Sequence, residues 1–132
     1  MDDLLRRSHT IAVVGASPNP ARPSHDVFTR LRRMERFDVT PINPGAAAID
    51  GVSAYGSLEA YAAERGSPDI VDVFRRASEA VAVAREAIAA GAKAIWFQYG
   101  VVNAEAIALA DAAGLDVVVD RCLKIEAIRL ER

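Results

Sequence analysis

Five short apolar runs set the strongest constraint on this chain: Ile11 to Val14, Val39 to Ile42, Ile70 to Phe74, Ala94 to Phe97 and Leu115 to Val119. Each is rich in Val and Ile and nearly continuous rather than alternating. That is the pattern of a strand covered on both faces, as in a parallel sheet. The segments between them read as helices. Ser24 is expected to cap a helix carrying Val27, Phe28 and Leu31, and Ser57 one carrying Leu58, Tyr61 and Ala62. Ser78 is expected to cap a helix with Val81, Ala84 and Ile88, and Asn103 one with Ile107 and Ala110. Gly91 and Gly114 stand where left-handed C-terminal residues belong. Short helices are also expected over Leu4 to Arg7 and Ile125 to Leu130. The stretch from Pro44 to Ser57 is the most irregular, with a turn at Asp50-Gly51.

The strand starts recur at the spacing of βαβ units, whose right-handed crossovers place helices on both faces. The expected architecture is therefore a Rossmann-like, doubly wound α/β fold. It has a parallel five-stranded sheet in the order 3-2-1-4-5 within three α/β/α layers. The chain has 132 residues, so one domain over 1–132 is expected, long enough for a core without covalent staples. A hydrophobic fraction of 52% with 26% charged residues is a globular balance. The formal net charge of -2 gives no reason to expect a nucleic-acid or membrane-surface partner. Cys122 is the single cysteine, which excludes an internal disulfide and fits a cytoplasmic location. The N-terminus does not read as a signal peptide, and no apolar run is long enough to span a bilayer.

In an open parallel sheet, ligands bind outside the carboxyl ends of the strands. The unusual residues fall at those ends: Gly15-Ala16-Ser17-Pro18 and Arg22-Pro23-Ser24-His25 after the first strand, Asn43-Pro44-Gly45 after the second, and Arg75-Arg76 after the third. Gln98-Tyr99-Gly100 ends the fourth, and Asp120-Arg121-Cys122 the fifth. Gly15 lets the backbone turn sharply against a ligand, and the helix that follows presents N–H groups suited to a phosphate. Arg22 can grip a phosphate in a bidentate way, Ser24 adds a hydroxyl, and one of Arg75 and Arg76 is assigned to the ligand. Gln98 and Gly100 are candidate site residues. Trp96 reads as core and Asn103 as a helix cap.

The dinucleotide fingerprint is missing, because the loop reads G-A-S-P-N-P and Asn43-Pro44 stands where an acidic ribose partner would be. Two histidines and one cysteine make no metal cluster, and no catalytic constellation is recognisable. His25 and His9 are read as structural. Cys122 reads as a buried, unreactive thiol, with a mixed disulfide to a thiol-bearing ligand as the sharper alternative.

The segments V-V-G-A-S-P (Val13 to Pro18), R-P-S-H (Arg22 to His25), I-N-P (Ile42 to Pro44), V-D-V-F-R (Val71 to Arg75), W-F-Q-Y-G (Trp96 to Gly100), V-N (Val102-Asn103) and D-R-C-L-K-I-E (Asp120 to Glu126) together resemble the small stand-alone CoA-binding proteins of the YccU type. The resemblance runs from about Thr10 to Leu130. It implies a domain similar to the CoA-binding domain of the succinyl-CoA synthetase α subunit, with coenzyme A as ligand. By that resemblance Gly15, Ala16, Ser17 and Pro18 hold the pyrophosphate, and Arg22 and Ser24 support phosphate. Asn43 and Pro44 approach the adenosine, and Val73, Phe74 and Arg75 line the path of the nucleotide and pantetheine arm. Gly45-Ala46-Ala47-Ala48 stands where the synthetases often carry a lysine, and their second domain with its phosphorylated histidine has no counterpart. The expectation is a non-catalytic carrier, sensor or regulatory module for CoA or acyl-CoA. A nicotinamide-dependent oxidoreductase and an interaction module for a larger synthetase or acyltransferase are the alternatives. A homo-oligomer or an unidentified protein partner stays open.

Overall fold

A computed structural model describes residues 1–131. All five expected strands form, as β1 (Thr10–Val14), β2 (Asp38–Ile42), β5 (Ile70–Val73), β6 (Ala94–Phe97) and β7 (Asp116–Val119). They pair in parallel throughout. The interval between β2 and β5 holds a small antiparallel hairpin, β3 (Ala48–Ile49) with β4 (Val52–Ser53). Its turn is Asp50-Gly51, with φ of 49° and 78°. Two successive positive φ values are the geometry that matches a tight hairpin to the twist of its strands. The helices are α1 (Asp2–Arg7), α2 (Pro23–Arg33), α3 (Leu58–Arg65), α4 (Ala80–Ala89), α5 (Ala104–Ala112) and α6 (Leu123–Leu130).

Strand alternation sorts the core into two layers, one on each face of the sheet. Ala12, Val14, Val71, Val73, Ile95 and Phe97 pack under α3, α4 and α5. Ile11, Val13, Ile70, Ala94 and Trp96 pack under α1, α2 and α6. The fold is thus the α/β, Rossmann-like, helix–sheet–helix arrangement that the run pattern predicts.

The order of the strands differs from the expected 3-2-1-4-5. The sheet runs β2-β1-β5-β6-β7, which is 2-1-3-4-5 among the five parallel strands. The reason lies in Pro41. A proline has no N–H to give to a ladder, so it belongs on an edge strand. The Pro41 carbonyl accepts from the Tyr55 N–H at 3.1 Å, on the side of β2 away from β1. The missing donor faces that same side. The third strand carries no such gap and is fully buried, so it takes the interior place beside β1. The reversal in strand order then falls between β1 and β5, which sets the loops after Val14 and after Val73 side by side.

Two helix starts also differ from expectation. Helix α2 begins at Pro23 with Arg22 as N-cap, and Ser24 is buried inside the first turn. Proline at the first helical position fixes the start two residues earlier than a serine cap at Ser24 would. Ser78 falls within a 3₁₀ turn, Ala77–Glu79, that precedes α4. Ser57 and Asn103 do cap α3 and α5, accepting from the backbone N–H groups of Ala60 and Ala106. Gly91 and Gly114 take φ of 74° and 86°. Asn103 has a second task, since its Nδ2 donates to the Ala77 carbonyl at 2.9 Å. Asn103→Ala removes both bonds and is expected to cost about 1–2 kcal/mol, read as a lowered midpoint in thermal unfolding.

Candidate functional site

A crevice of about 920 Å³ opens across the carboxyl ends of the parallel strands. That is near the upper end of the roughly 300–1,000 Å³ typical of small-molecule sites. Its walls come from the loops that the sequence singled out. Gly15, Ala16 and Ser17 follow β1, Arg22 and Ser24 open α2, and Asn43 and Pro44 follow β2. Phe74 and Arg75 follow β5, Gln98 and Gly100 end β6, and Cys122 caps α6. Two of the expected residues are elsewhere. Val73 is wholly buried beneath α3, α4 and α5, because its place in β5 turns its side chain into that layer. Pro18 lies outside the wall, on the exposed turn that leads toward α2.

Gly15 makes the central turn possible. Its φ is 87°, and a Cβ there would sit 2.1 Å from the Phe74 carbonyl oxygen. Its N–H donates to the Ile42 carbonyl at 3.2 Å, and the Phe74 N–H donates to Val14 at 2.8 Å. The three loops after β1, β2 and β5 are thereby tied at their roots. Asn43 adds a second tie. Its Nδ2 donates to the Ala16 carbonyl at 2.8 Å, while its Oδ1 accepts from the Gly45 N–H at 2.6 Å. The side chain read as a ligand contact is thus also a clamp between two loops. At the far end the Gly100 N–H donates to Asp120 Oδ1 at 2.9 Å, and Trp96 Nε1 donates to the Arg121 carbonyl at 2.8 Å. These bonds hold the ends of β6 and β7 together. Trp96 is core, as its position within the strand predicts.

The electrostatics are lopsided. Arg22, Arg75 and Arg76 all line the crevice, and among the described residues no acidic side chain does. None of the three arginines pairs with a carboxylate among the described residues. Their charge is concentrated beside the ends of β1 and β5 and the start of α2. The end beside β6 and α6 is uncharged, formed by Gln98, Tyr99, Val101 and Cys122. His25 is turned elsewhere: its Nε2 approaches Asp50 Oδ2 at 2.9 Å without hydrogen-bond alignment.

Behind the wall lies a buried carboxyl group. Asp72 is 0% exposed in the middle of β5. Its Oδ1 accepts from Gln98 Nε2 at 2.5 Å, and its Oδ2 has no partner. Burial pushes its pKa up to about 7, against the opposing pull of the Gln98 bond. Sequence reading left Asp72 without a role of its own, although an acidic residue inside an apolar strand run is a visible signal. It also left out Val27, one helical turn beyond Ser24, together with Ala77 and Val101.

A family profile described as CoA binding domain matches residues 9–128. A Bacillus subtilis (strain 168) protein, the uncharacterized protein YneT, is 37% identical over 123 residues, covering 93% of this chain and 88% of the relative. A hypothetical protein from Pyrococcus horikoshii OT3 superposes with a TM-score of 0.91 at 35% identity, over 100% of this chain and 93% of that one. The dinucleotide-forming acetyl-coenzyme A synthetase 1 of Ca. Korarchaeum cryptofilum, in complex with phosphate and ADP, matches at 25% identity with a TM-score of 0.73. That match covers 89% of this chain but 27% of the synthetase.

Proposed function

The chain belongs to the CoA binding domain family, and from that premise we propose that its crevice holds coenzyme A or an acyl-CoA as a non-catalytic carrier, sensor or regulatory module. One observation carries the reading. Among the described residues, three arginines without carboxylate partners face a crevice that has no acid on its wall. Coenzyme A brings a pyrophosphate and a 3′-phosphate, the kind of concentrated anionic charge such a cluster suits. The loop after β1 approaches closely enough through Gly15 to lay backbone against a phosphate, and the first turn of α2 adds favourable polarity. Ser17 and Ser24 supply hydroxyls on the same wall.

A nicotinamide cofactor fits less well. Its ribose calls for an acidic side chain at the end of the second strand. Asn43 stands there and commits both ends of its amide to Ala16 and Gly45. A catalytic role is also less well supported, since the His25 imidazole faces Asp50 and is not on the crevice wall.

Isothermal calorimetry with CoA and with dephospho-CoA tests the proposal, and absence of heat with both would end it. Replacing Arg75 and Arg76 together by alanine is expected to weaken CoA binding by roughly a hundredfold, about tenfold for each charged contact. The salt dependence of the remaining affinity is expected to flatten in the same variant, because fewer charges are left to screen.

A further inference from the structure

Gln98 faces two ways. Its residue is 4% exposed, its Nε2 is spent on Asp72 Oδ1, and yet it lines the crevice. Its Oε1 has no hydrogen-bond partner among the described residues, and it is not among the atoms sealed from solvent. The open space available to it is the crevice. An amide has one donor end and one acceptor end. A carboxyl oxygen that accepts at the inner end therefore fixes which end looks outward. Oδ1 of Asp72 serves this purpose whether or not a proton sits on Oδ2.

A fully buried carboxyl group with one unpartnered oxygen is expensive to keep in a sheet. Strand alternation turns its side chain to the face opposite Val71 and Val73, and the side-chain bond it makes among the described residues is the one to Gln98. What Asp72 does provide is a single orientation for Gln98. We propose that Asp72 is a positioning residue that anchors the Gln98 amide nitrogen and so presents Gln98 Oε1 as an acceptor to an amide N–H of the bound ligand. The inference rests on the CoA reading and deepens it. An outward carbonyl oxygen repels phosphate and attracts a neutral donor. The phosphates therefore lie at the arginines beside β1 and β5, and the amide-bearing pantetheine arm runs along the uncharged end, past Gln98 toward Cys122.

The test pairs affinity with stability. Asp72→Val removes a buried unsatisfied oxygen and is expected to melt higher than the unmodified protein at pH 8. It is also expected to bind CoA roughly tenfold more weakly, as Gln98 loses its anchor. Binding of adenosine 3′,5′-bisphosphate, which lacks the arm, stays unchanged. Asp72→Asn keeps an acceptor for Nε2 and recovers most of the lost CoA affinity. Gln98→Ala weakens CoA binding to the same extent as Asp72→Val, and combining the two adds no further loss. Equal CoA affinity in Asp72→Val and the unmodified protein overturns the inference, as does an Asn variant that binds no better than the Val variant. A loss that extends equally to adenosine 3′,5′-bisphosphate overturns it too. Absence of CoA binding by the unmodified protein would instead overturn the parent reading, and this inference with it.

Discussion

Gly15→Ala is expected to remove roughly 3 kcal/mol or more of stability, and so to lower the thermal midpoint by about 10 °C in a chain of this size. Two costs combine. The backbone there has φ of 87°, and the added methyl would stand 2.1 Å from the Phe74 carbonyl oxygen and 2.9 Å from its carbon. Both are main-chain atoms, and the Phe74 N–H is bonded to Val14, so neither side can retreat without breaking the β1–β5 seam. Gly51 is the matched control. Its φ is 78°, but a Cβ there would meet nothing within 4 Å. Gly51→Ala therefore isolates the backbone cost, about 1 kcal/mol. Calorimetric melting of the two variants side by side decides the matter. If they melt within a degree or two of each other, the close approach of the two loops is not rigid, and the crevice loses its fixed centre.

The second large effect concerns acidity. Burial raises the folded-state pKa of Asp72 from 3.8 to about 7. The native chain thus keeps this proton at pH values where the unfolded chain has released it. Stability from this group is fullest below the unfolded value, falls as pH rises through the interval, and levels off above about pH 7. The difference is on the order of 4 kcal/mol across the interval, and most of the part between pH 5 and pH 8 is measurable by denaturant unfolding. Asp69 is shifted the other way, held down by the His9 and Thr10 N–H groups and Lys93, against the opposing effect of its burial. Its contribution is lost only in acid, outside this window. The unmodified protein is expected to be more stable at pH 5 than at pH 8, and Asp72→Asn to show little of that slope. An unaltered slope in the variant would mean that another group carries the proton.

The strands were legible because each apolar run is nearly continuous, and four of the five are buried on both faces, with only β7 partly open. The helix caps at Ser57 and Asn103 were legible for the same local reason. The sheet order was misread although its determinant was in view. Pro41 interrupts the second run and demands an edge, whereas run spacing alone is silent on which strands are neighbours. The hairpin from Ala48 to Ser53 was visible only as its Asp50-Gly51 turn, since two-residue strands are too short to show a period. At the site, the strand-end rule brought most of the named residues onto one wall without any knowledge of register. It did not name Val73, which the family resemblance supplied and whose side chain one step of alternation turns from rim to core. It was silent on Asp72, whose meaning depends on a neighbour 26 positions later in sequence, Gln98.

The proline that settles the order of the sheet also gives it unequal margins. Along the outer side of β2 one donor is missing, and two neighbouring backbone groups, the Pro41 carbonyl and the Asn43 N–H, are already occupied by Tyr55. An incoming extended peptide finds little there to zip onto. The chain thus carries, in a residue outside the crevice wall, a built-in guard against templated aggregation along that flank.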